Sequence, residues 1–353
     1  MSAPLYVPAL PARSSAFLAY AGLAPRLRAA VAPLWTIPPR VPDARDPDPP
    51  ALAHHLRKAL RRAAHAQRGT PAWLDAPHAE RQAPGLLGEF TQALADTPLR
   101  PVTGVDRPLR HQLASAEAAR ARGDGLGIRV PLPELPDERL RDALGTLLER
   151  TAVAGSPLDL LLDLGAVADE HLPAEKWALR ALDLLGPLHP WRTVAVLAGA
   201  FPRRVPEGYG APLAEAERLD WDLWHLLVDG PERPAFPLTY GDYGADHPAA
   251  LDRPAEAGGG SPWGVLRYTT DRTFLLGRVP TRGDGRAEAI RATAREIVEA
   301  EDFRGSRFGA GERWLVACAH GRGSEGAGHP AVWRRVAHLQ HLTKTARDLR
   351  RRS

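Results

Sequence analysis

The sequence predicts an α/β fold, a (β/α)8 barrel of the TIM type with a C-terminal α+β extension. Eight short, apolar, β-prone runs alternate with helical patterns, and about 250 residues is the usual length of such a barrel. The sixth run, Leu158–Val167, is almost continuously apolar, as expected for a parallel strand that is covered on both faces. No G-x-G-x-x-G turn follows any run, which argues against a doubly wound dinucleotide-binding sheet.

The eighth run, Leu238–Pro248, is the stretch around which the rest is organised. It passes from a short apolar segment into the polar turn GDYGADH, so we expect it to deliver polar side chains to the open end of the barrel. The helix before it is predicted over Pro212–Val228. The seven earlier runs are Leu5–Leu10, Val31–Pro39, Ala72–Ala76, Leu99–Val105, Leu126–Leu132, Leu158–Val167 and Thr193–Phe201.

The sequence pattern changes after the glycine-rich segment Ala257–Gly260. Two alternating runs, Trp263–Thr270 and Thr273–Val279, predict a β-hairpin. We therefore divide the chain into a barrel of residues 1–256 and an extension of residues 257–353 packed on it. The rest of the extension is predicted as a helix over Ala287–Ala300, a strand over Trp314–Ala319 and a terminal helix over His329–Arg352.

The composition argues against disulfide-bonded, cysteine–zinc and membrane-spanning proteins. A single cysteine, Cys318, rules out an internal disulfide and a cysteine-based zinc cluster. No apolar run approaches the roughly 20 residues of a membrane span, and the first residues lack the pattern of a signal peptide, so we expect a soluble, cytoplasmic protein without a membrane partner. The formal charge of +4 reflects abundant arginine, which we attribute to genome composition rather than to a nucleic-acid surface. Nucleic acid stays a less favoured partner, with the basic run Lys344–Arg352 as its contact.

The candidate site lies at the C-terminal ends of the strands, where barrel enzymes hold their catalytic groups. Carboxylates and histidine there suit acid–base work or a divalent cation, although the cofactor stays open and no metal site is predicted. Arginines suit bidentate binding of an anionic, phosphorylated substrate. The catalytic candidates are Asp163, Asp242 and His247. The substrate-binding candidates are Arg129, Arg203, Arg204 and Tyr243, together with Arg267 and Tyr268 from the predicted hairpin.

Structural alternatives exist for the same residues. Arg129 and Asp163 lie on adjacent predicted strands and are equally suited to an internal ion pair. Asp242 suits a tight turn, and Arg203–Arg204 suits a solvated loop. His338 and His341 share one helical face, but the sequence shows no third metal ligand.

The polar turn resembles that of the phage beta protein family, whose Gly-Asp-Tyr turn precedes a His-Pro pair. Other motifs of that family match in order along nearly the whole chain. The matching residues are Tyr6, Pro8, Ala9 and Leu10, then Pro33 and Leu34, Asp163 and Gly165, Gly241, Asp242, Tyr243, His247 and Pro248, Arg267, Tyr268 and Thr269, and finally Trp333, Arg334, His338 and His341.

The resemblance implies no particular reaction. Family members often carry Lys and Glu after the first strand and an acidic residue in the second, where this sequence has PARSSAF and WTIPP. Two hypotheses follow: an enzyme acting on an anionic substrate, or a non-catalytic protein that binds a partner in phage–host conflict. A barrel mouth filled by a closed Arg129–Asp163 pair would favour the second.

Overall fold

The computed structural model describes residues 3–40, 49–82, 88, 90, 93–94, 96–132, 134–151, 157–167, 173–205, 213–254, 261–324 and 326–352. Three features predicted from the sequence lie outside these residues. They are the beginning of the helix expected from Pro212, the glycine-rich segment Ala257–Gly260 and the boundary between residues 256 and 257.

Eight parallel strands form a closed barrel, so the predicted (β/α)8 fold is confirmed. Short, fully buried runs form these strands because both faces are covered, one by the barrel interior and one by helices. The last strand pairs with the first, with Tyr6 opposite Tyr240, and this pairing closes the barrel. The barrel strands are β1 (Tyr6–Pro11), β2 (Leu34–Thr36), β3 (Ala72–Asp75), β4 (Leu99–Thr103), β5 (Leu126–Pro131), β6 (Leu158–Ala166), β7 (Thr193–Gly199) and, after a strand outside the barrel, β9 (Thr239–Asp242).

Helices surround the barrel. They follow the strands in the sequence, and they pack on the outer surface of the sheet through their apolar faces. The helices as far as β9 are α1 (Ser14–Ala21), α2 (Pro25–Arg28), α3 (Pro49–Gln67), α4 (Ala79–Gln82), α5 (Leu109–Arg122), α6 (Glu138–Thr151), α7 (Ala174–Leu185) and α8 (Leu219–Asp229). No helix among the described residues is long and apolar enough to cross a membrane.

A second, three-stranded sheet lies beside the barrel. The predicted hairpin is present as β10 (Trp263–Thr269) and β11 (Thr273–Pro280), which pair antiparallel. The third strand is β8 (Ala214–Glu217), which pairs with β11 and comes from the segment between β7 and β9. Residues on both sides of the predicted domain boundary thus share one sheet, and the division into two units stays a prediction.

Two elements differ from the sequence predictions. The strand predicted over Trp314–Ala319 is wrong, because Ala310–Ala319 forms helix α10. Its apolar run was too short to distinguish a strand from a buried helix, and its buried residues, including Leu315 and Cys318, recur at helical spacing. The helix predicted from Pro212 begins instead at Leu219. β8 precedes it with the sequence AEAE, in which the alanines are half-buried and the glutamates exposed.

The terminal helix completes the outer layer of the barrel. After α9 (Arg286–Glu299) and α10, the chain forms α11 (Pro330–Arg352), which packs against α1 and β1 and against β10 of the small sheet. Near its end, Arg352 donates to the Asp229 carboxylate on α8 at 2.6 Å. The helix that covers the junction of the first and last barrel strands therefore comes from residues far beyond β9 in the sequence.

Candidate functional site

The centre of the barrel mouth is occupied by an ion network. Arg129 on β5 donates to Asp75 on β3 at 2.8 Å and to Asp163 on β6 at 2.6 and 2.8 Å. Arg107 donates to Asp75 at 3.1 Å, and the Tyr243 hydroxyl donates to Asp163. All five side chains are buried. Burial opposes ionisation of Asp75, but Arg107 and Arg129 outweigh it and lower the pKa of this carboxyl.

This network leaves little room for a substrate. Asp163 and Arg129 are only 7% and 8% exposed, and their charges satisfy each other. Leu251, from the loop after β9, is buried against Tyr243 in the interior cluster of the barrel. Arg129 and Asp163 thus form a closed internal ion pair beneath a covered mouth, which is the structural alternative considered for them.

Asp242 lies on the opposite face of β9 from Tyr243. Successive side chains in a strand point to opposite faces, so Asp242 faces outward, on the same side as Tyr240. There it accepts hydrogen bonds from Tyr6 at 2.6 Å and from the Gly244 amide at 2.8 Å, while His341 Nε2 on α11 lies 2.8 Å from its other oxygen. Burial opposes ionisation of Asp242, yet His341 and these donors lower its pKa.

Thr269, His341 and Asp242 form a chain that resembles a nucleophile–base–acid relay. Thr269 Oγ1 lies 3.0 Å from His341 Nδ1, and the second ring nitrogen faces Asp242. All three residues are at most 1% exposed, and none lines the basic cleft described below or two other cavities among the described residues. A nucleophile must reach its substrate, so we assign this chain to the attachment of α11 to the barrel.

A second histidine–aspartate pair lies one helical turn earlier. His338 Nδ1 accepts from the Ala245 amide at 3.3 Å, so its Nε2 carries a proton and faces Asp246 at 3.2 Å. The other Asp246 oxygen accepts from Arg267 on β10. Burial opposes ionisation of Asp246, but Arg267 and His338 hold its pKa far below the usual range. Asp246 thereby connects the barrel, the hairpin and α11.

A basic cleft lies beside this triple contact, at the rim of the barrel. It has a volume of about 570 Å³, within the range of small-molecule sites. Its barrel wall comes from the loops after β1, β7 and β9, and its other wall comes from the hairpin and the start of α11. It is therefore formed at the C-terminal ends of the strands, where the site was predicted, but off the barrel axis.

The charge in the cleft is strongly one-sided. Among its described lining residues there are six arginines, one histidine and a single carboxylate, Asp246, which is already paired with Arg267. Within the described part of the chain, no carboxylate lies within ion-pair distance of Arg203, Arg253, Arg282 or Arg334. The six arginines are Arg13, Arg203, Arg253, Arg267, Arg282 and Arg334.

His247 is the titratable donor of the cleft. Its Nδ1 accepts from the Ala249 amide at 3.1 Å, so the neutral ring carries its proton on Nε2 and can donate to an anion. Partial burial, together with the positive charges of Arg203 and Arg253, lowers the pKa of this imidazole. His247 is therefore suited to donating a hydrogen bond at neutral pH and to adding a positive charge at lower pH.

The nine candidates from the sequence fall in separate places. Arg203, His247 and Arg267 meet in the cleft, whereas Arg129, Asp163 and Tyr243 meet in the closed mouth. Asp242 faces α11. Arg204 is exposed and is absent from the cleft lining, and Tyr268 is buried against Phe303 with its hydroxyl accepting from the Arg304 amide. Within the described residues, no group of three or more His, Cys, Asp or Glu side chains is arranged to hold a metal ion.

Sequence reasoning missed much of the cleft. Arg253 and Arg282 lie in loops without any motif, and Arg13 follows the first strand. Only barrel closure and docking of the hairpin bring these segments to one place. The pair of arginines after β7 was the one signal from strand ends, and of that pair Arg203 lines the cleft whereas Arg204 does not.

Comparison with family models decides the relationship of the chain. The Beta protein model matches residues 6–347, nearly the whole length. The chain belongs to the Beta protein family. Comparisons with curated proteins and with solved structures found no match. The match spans every barrel strand, the small sheet and most of α11, so the cleft is built entirely from residues within the family region.

Proposed function

We propose that this member of the Beta protein family binds a small, multiply charged anion, of the phosphate-bearing class, in the basic cleft. The observation that carries the proposal is the charge of the lining, in which six arginines face one carboxylate that is already paired. Concentrating like charges at one site is unfavourable in the absence of a counter-charge. An anionic ligand would supply that counter-charge.

The form of the cleft supports the same proposal. Guanidinium groups bind phosphate oxygens through paired hydrogen bonds, and here they come from opposite walls, Arg203 from the barrel and Arg282 after β11. The Nε2 proton of His247 adds a neutral donor. A ligand with several anionic oxygens can contact both walls at once.

The closed barrel mouth favours binding over catalysis at the barrel axis. Asp163, one of the candidate catalytic residues, is committed to Arg129 and Tyr243, and Asp242 is committed to α11. The hypothesis of a non-catalytic protein that engages a partner in phage–host conflict is therefore preferred to that of an enzyme acting in the mouth. The anion would be the ligand that this protein recognises.

Isothermal titration with sulfate, phosphate, pyrophosphate and tripolyphosphate tests the proposal. We expect binding that strengthens with ligand charge and weakens with added salt. An Arg203→Ala, Arg282→Ala variant removes one guanidinium from each wall. Because hydrogen bonds to charged groups contribute roughly 1.5–3 kcal/mol each, the pyrophosphate affinity should fall at least about tenfold.

The matched control is an Arg61→Ala, Arg110→Ala variant. Both residues are exposed and lie outside the cleft, and the variant loses the same formal charge. It should bind pyrophosphate within about twofold of the wild type, since long-range charge is screened over roughly 10 Å. The proposal would be contradicted if the two variants lost equal pyrophosphate affinity, or if the wild type bound none of the four anions.

A further inference from the structure

We infer that the anion bound in the cleft is a nucleoside polyphosphate, with its phosphates on the arginines and its base against Trp263. This inference rests on the proposed function and adds a second chemical requirement to it, a planar ring. It is carried by the position of one half-buried indole within the basic lining and by the small residues around it.

Trp263 begins β10 and forms part of the hairpin wall of the cleft. The guanidinium of Arg278 lies 4.1 Å from the centroid of its ring and covers one face. The indole is half-buried rather than enclosed, so its remaining surface belongs to the cleft. An indole that is already stacked on a cation is held in place, and a held aromatic surface is a good platform for a base.

The surroundings of the indole are small. Ser261, Gly264 and Thr281 line the cleft beside it, and none has a side chain that would fill the space over the ring. At Gly264 a Cβ atom would lie 2.6 Å from the Trp333 ring, so a larger residue is excluded there by packing. Among the described residues, the hairpin therefore places small side chains beside Trp263 at the edge of the charged region, with the Trp333 ring packed on Gly264.

The position of Arg282 relative to Trp263 suits a nucleotide. Trp263 pairs with Pro280 across the hairpin, and Arg282 follows two residues later. Two residues of chain span at most about 7 Å, so Arg282 begins within that distance of the residue opposite Trp263, comparable to the separation between a base and its own phosphates. A ligand with its base on Trp263 would thus present phosphates to Arg282, and across the cleft to Arg203.

The charge of the cleft indicates more than one phosphate. Four arginines, Arg203, Arg253, Arg282 and Arg334, have no carboxylate within ion-pair distance among the described residues, and His247 adds a donor. A nucleoside monophosphate would neutralise fewer of these groups than a diphosphate or triphosphate. The cleft volume of about 570 Å³ is sufficient for one nucleotide.

The test compares ADP with pyrophosphate at constant ionic strength. Both present two linked phosphates, so the proposed anion binding applies to each, and only ADP offers a base. We expect the wild type to bind ADP roughly tenfold more tightly, since stacking of one base on an aromatic side chain has about that effect. In a Trp263→Ala variant this preference should disappear while pyrophosphate affinity stays within about twofold. A Trp263→Phe variant should keep most of it.

The outcomes separate the two proposals. Unaltered pyrophosphate binding by Trp263→Ala shows that the variant has a folded cleft. Equal binding of ADP and pyrophosphate by the wild type overturns the nucleotide inference and leaves the anion site intact, whereas failure to bind either ligand removes both proposals. A single-stranded decathymidylate that binds more tightly than ADP, with affinity that rises with strand length, would overturn the inference in favour of nucleic acid.

Discussion

Nε2 of His341 lies 2.8 Å from Oδ2 of Asp242, which joins the terminal helix to the end of the last barrel strand. Both side chains are essentially inaccessible to water. A buried polar pair of this kind contributes little to stability in total, but removing one partner leaves the other uncompensated. The pair therefore determines where α11 sits on the barrel, and it makes that position sensitive to single substitutions.

Replacing His341 with Ala should lower the free energy of unfolding by about 3 kcal/mol, because the Asp242 carboxylate would lose its partner in a buried setting. Urea denaturation followed by circular dichroism measures the change. His225→Ala is the matched control, since His225 pairs with Asp229 on the surface and its loss should cost less than about 1 kcal/mol. Similar costs for the two variants would contradict a structural role for the His341 pair.

Gly244 is expected to reject a side chain. Its φ is +61°, in the left-handed region that favours glycine, and a Cβ there would lie 2.6 Å from His338 Nδ1. Gly244→Ala should destabilise the protein by about 2 kcal/mol or more. By contrast, Gly145 in α6 has nothing within 4 Å of its Cβ position, and Gly145→Ala should stabilise by roughly 0.5–1 kcal/mol. Thermal melting of both variants would reveal opposite shifts, and shifts of the same sign would refute the explanation.

Low pH should lower the free energy of unfolding, in part through Asp246. Its pKa is lowered in the folded protein, so the unfolded chain takes up a proton near pH 4 while the folded carboxyl stays ionised. The stabilisation is present above about pH 4 and is lost as the pH falls toward the folded pKa. Asp246→Asn removes this contribution, so the stability difference between wild type and variant should shrink between pH 7 and pH 3. Urea denaturation at several pH values measures it, and a constant difference would contradict the assignment.

A substitution in the barrel mouth should lower the stability of the protein without changing the affinity of the cleft for pyrophosphate. Asp163→Asn leaves Arg129 without one of its two carboxylates, and we expect a loss of about 3 kcal/mol in stability. Pyrophosphate affinity should stay within about twofold, because Asp163 does not line the cleft. Glu138→Gln, which breaks only surface pairs, serves as the control and should cost less than about 1 kcal/mol. If Asp163→Asn abolished pyrophosphate binding in a folded protein, the mouth itself would be the site.

Binding of sulfate should tighten as the pH falls from 7.5 to 4.5. The pKa of His247 is lowered, so this imidazole is neutral at neutral pH and gains its charge only as the pH falls toward that lowered pKa. Sulfate keeps its own charge throughout, so the ligand contributes no pH dependence. His247→Gln should show a flat profile by isothermal titration, and a wild-type profile that is equally flat would exclude His247 as a ligand contact.

The barrel could be predicted because each strand carries its own signal. Leu158–Val167 is apolar on both faces, and Thr193–Phe201 repeats that pattern, so parallel strands followed without tertiary information. β8 gave no such signal. Its alternating alanines and glutamates favour no strand locally, and it is a strand only because β11 pairs with it.

The candidate site was harder to predict than the fold for a geometric reason. A shift of one position along β9 changes the face, so Asp242 meets α11 while Tyr243 meets Asp163. The alternation of side chains along a strand is by itself enough to place Asp242 and Tyr243 on opposite faces. The cleft required long-range information, since Arg13 and Arg282 are brought to one place by barrel closure and hairpin docking.

The position of α11 also has a consequence for the order of folding. The strand β9 is synthesised well before residues 330–352, yet those residues complete the cover of β1 and β9 that α8 begins, with His341 facing Asp242. Until they have emerged from the ribosome, Asp242 at the seam of the barrel lacks His341, and the nascent barrel presents the surface that α11 will cover to chaperones and to other chains. Completion of the outer layer is thus delayed until the small sheet between β9 and α11 has itself been made.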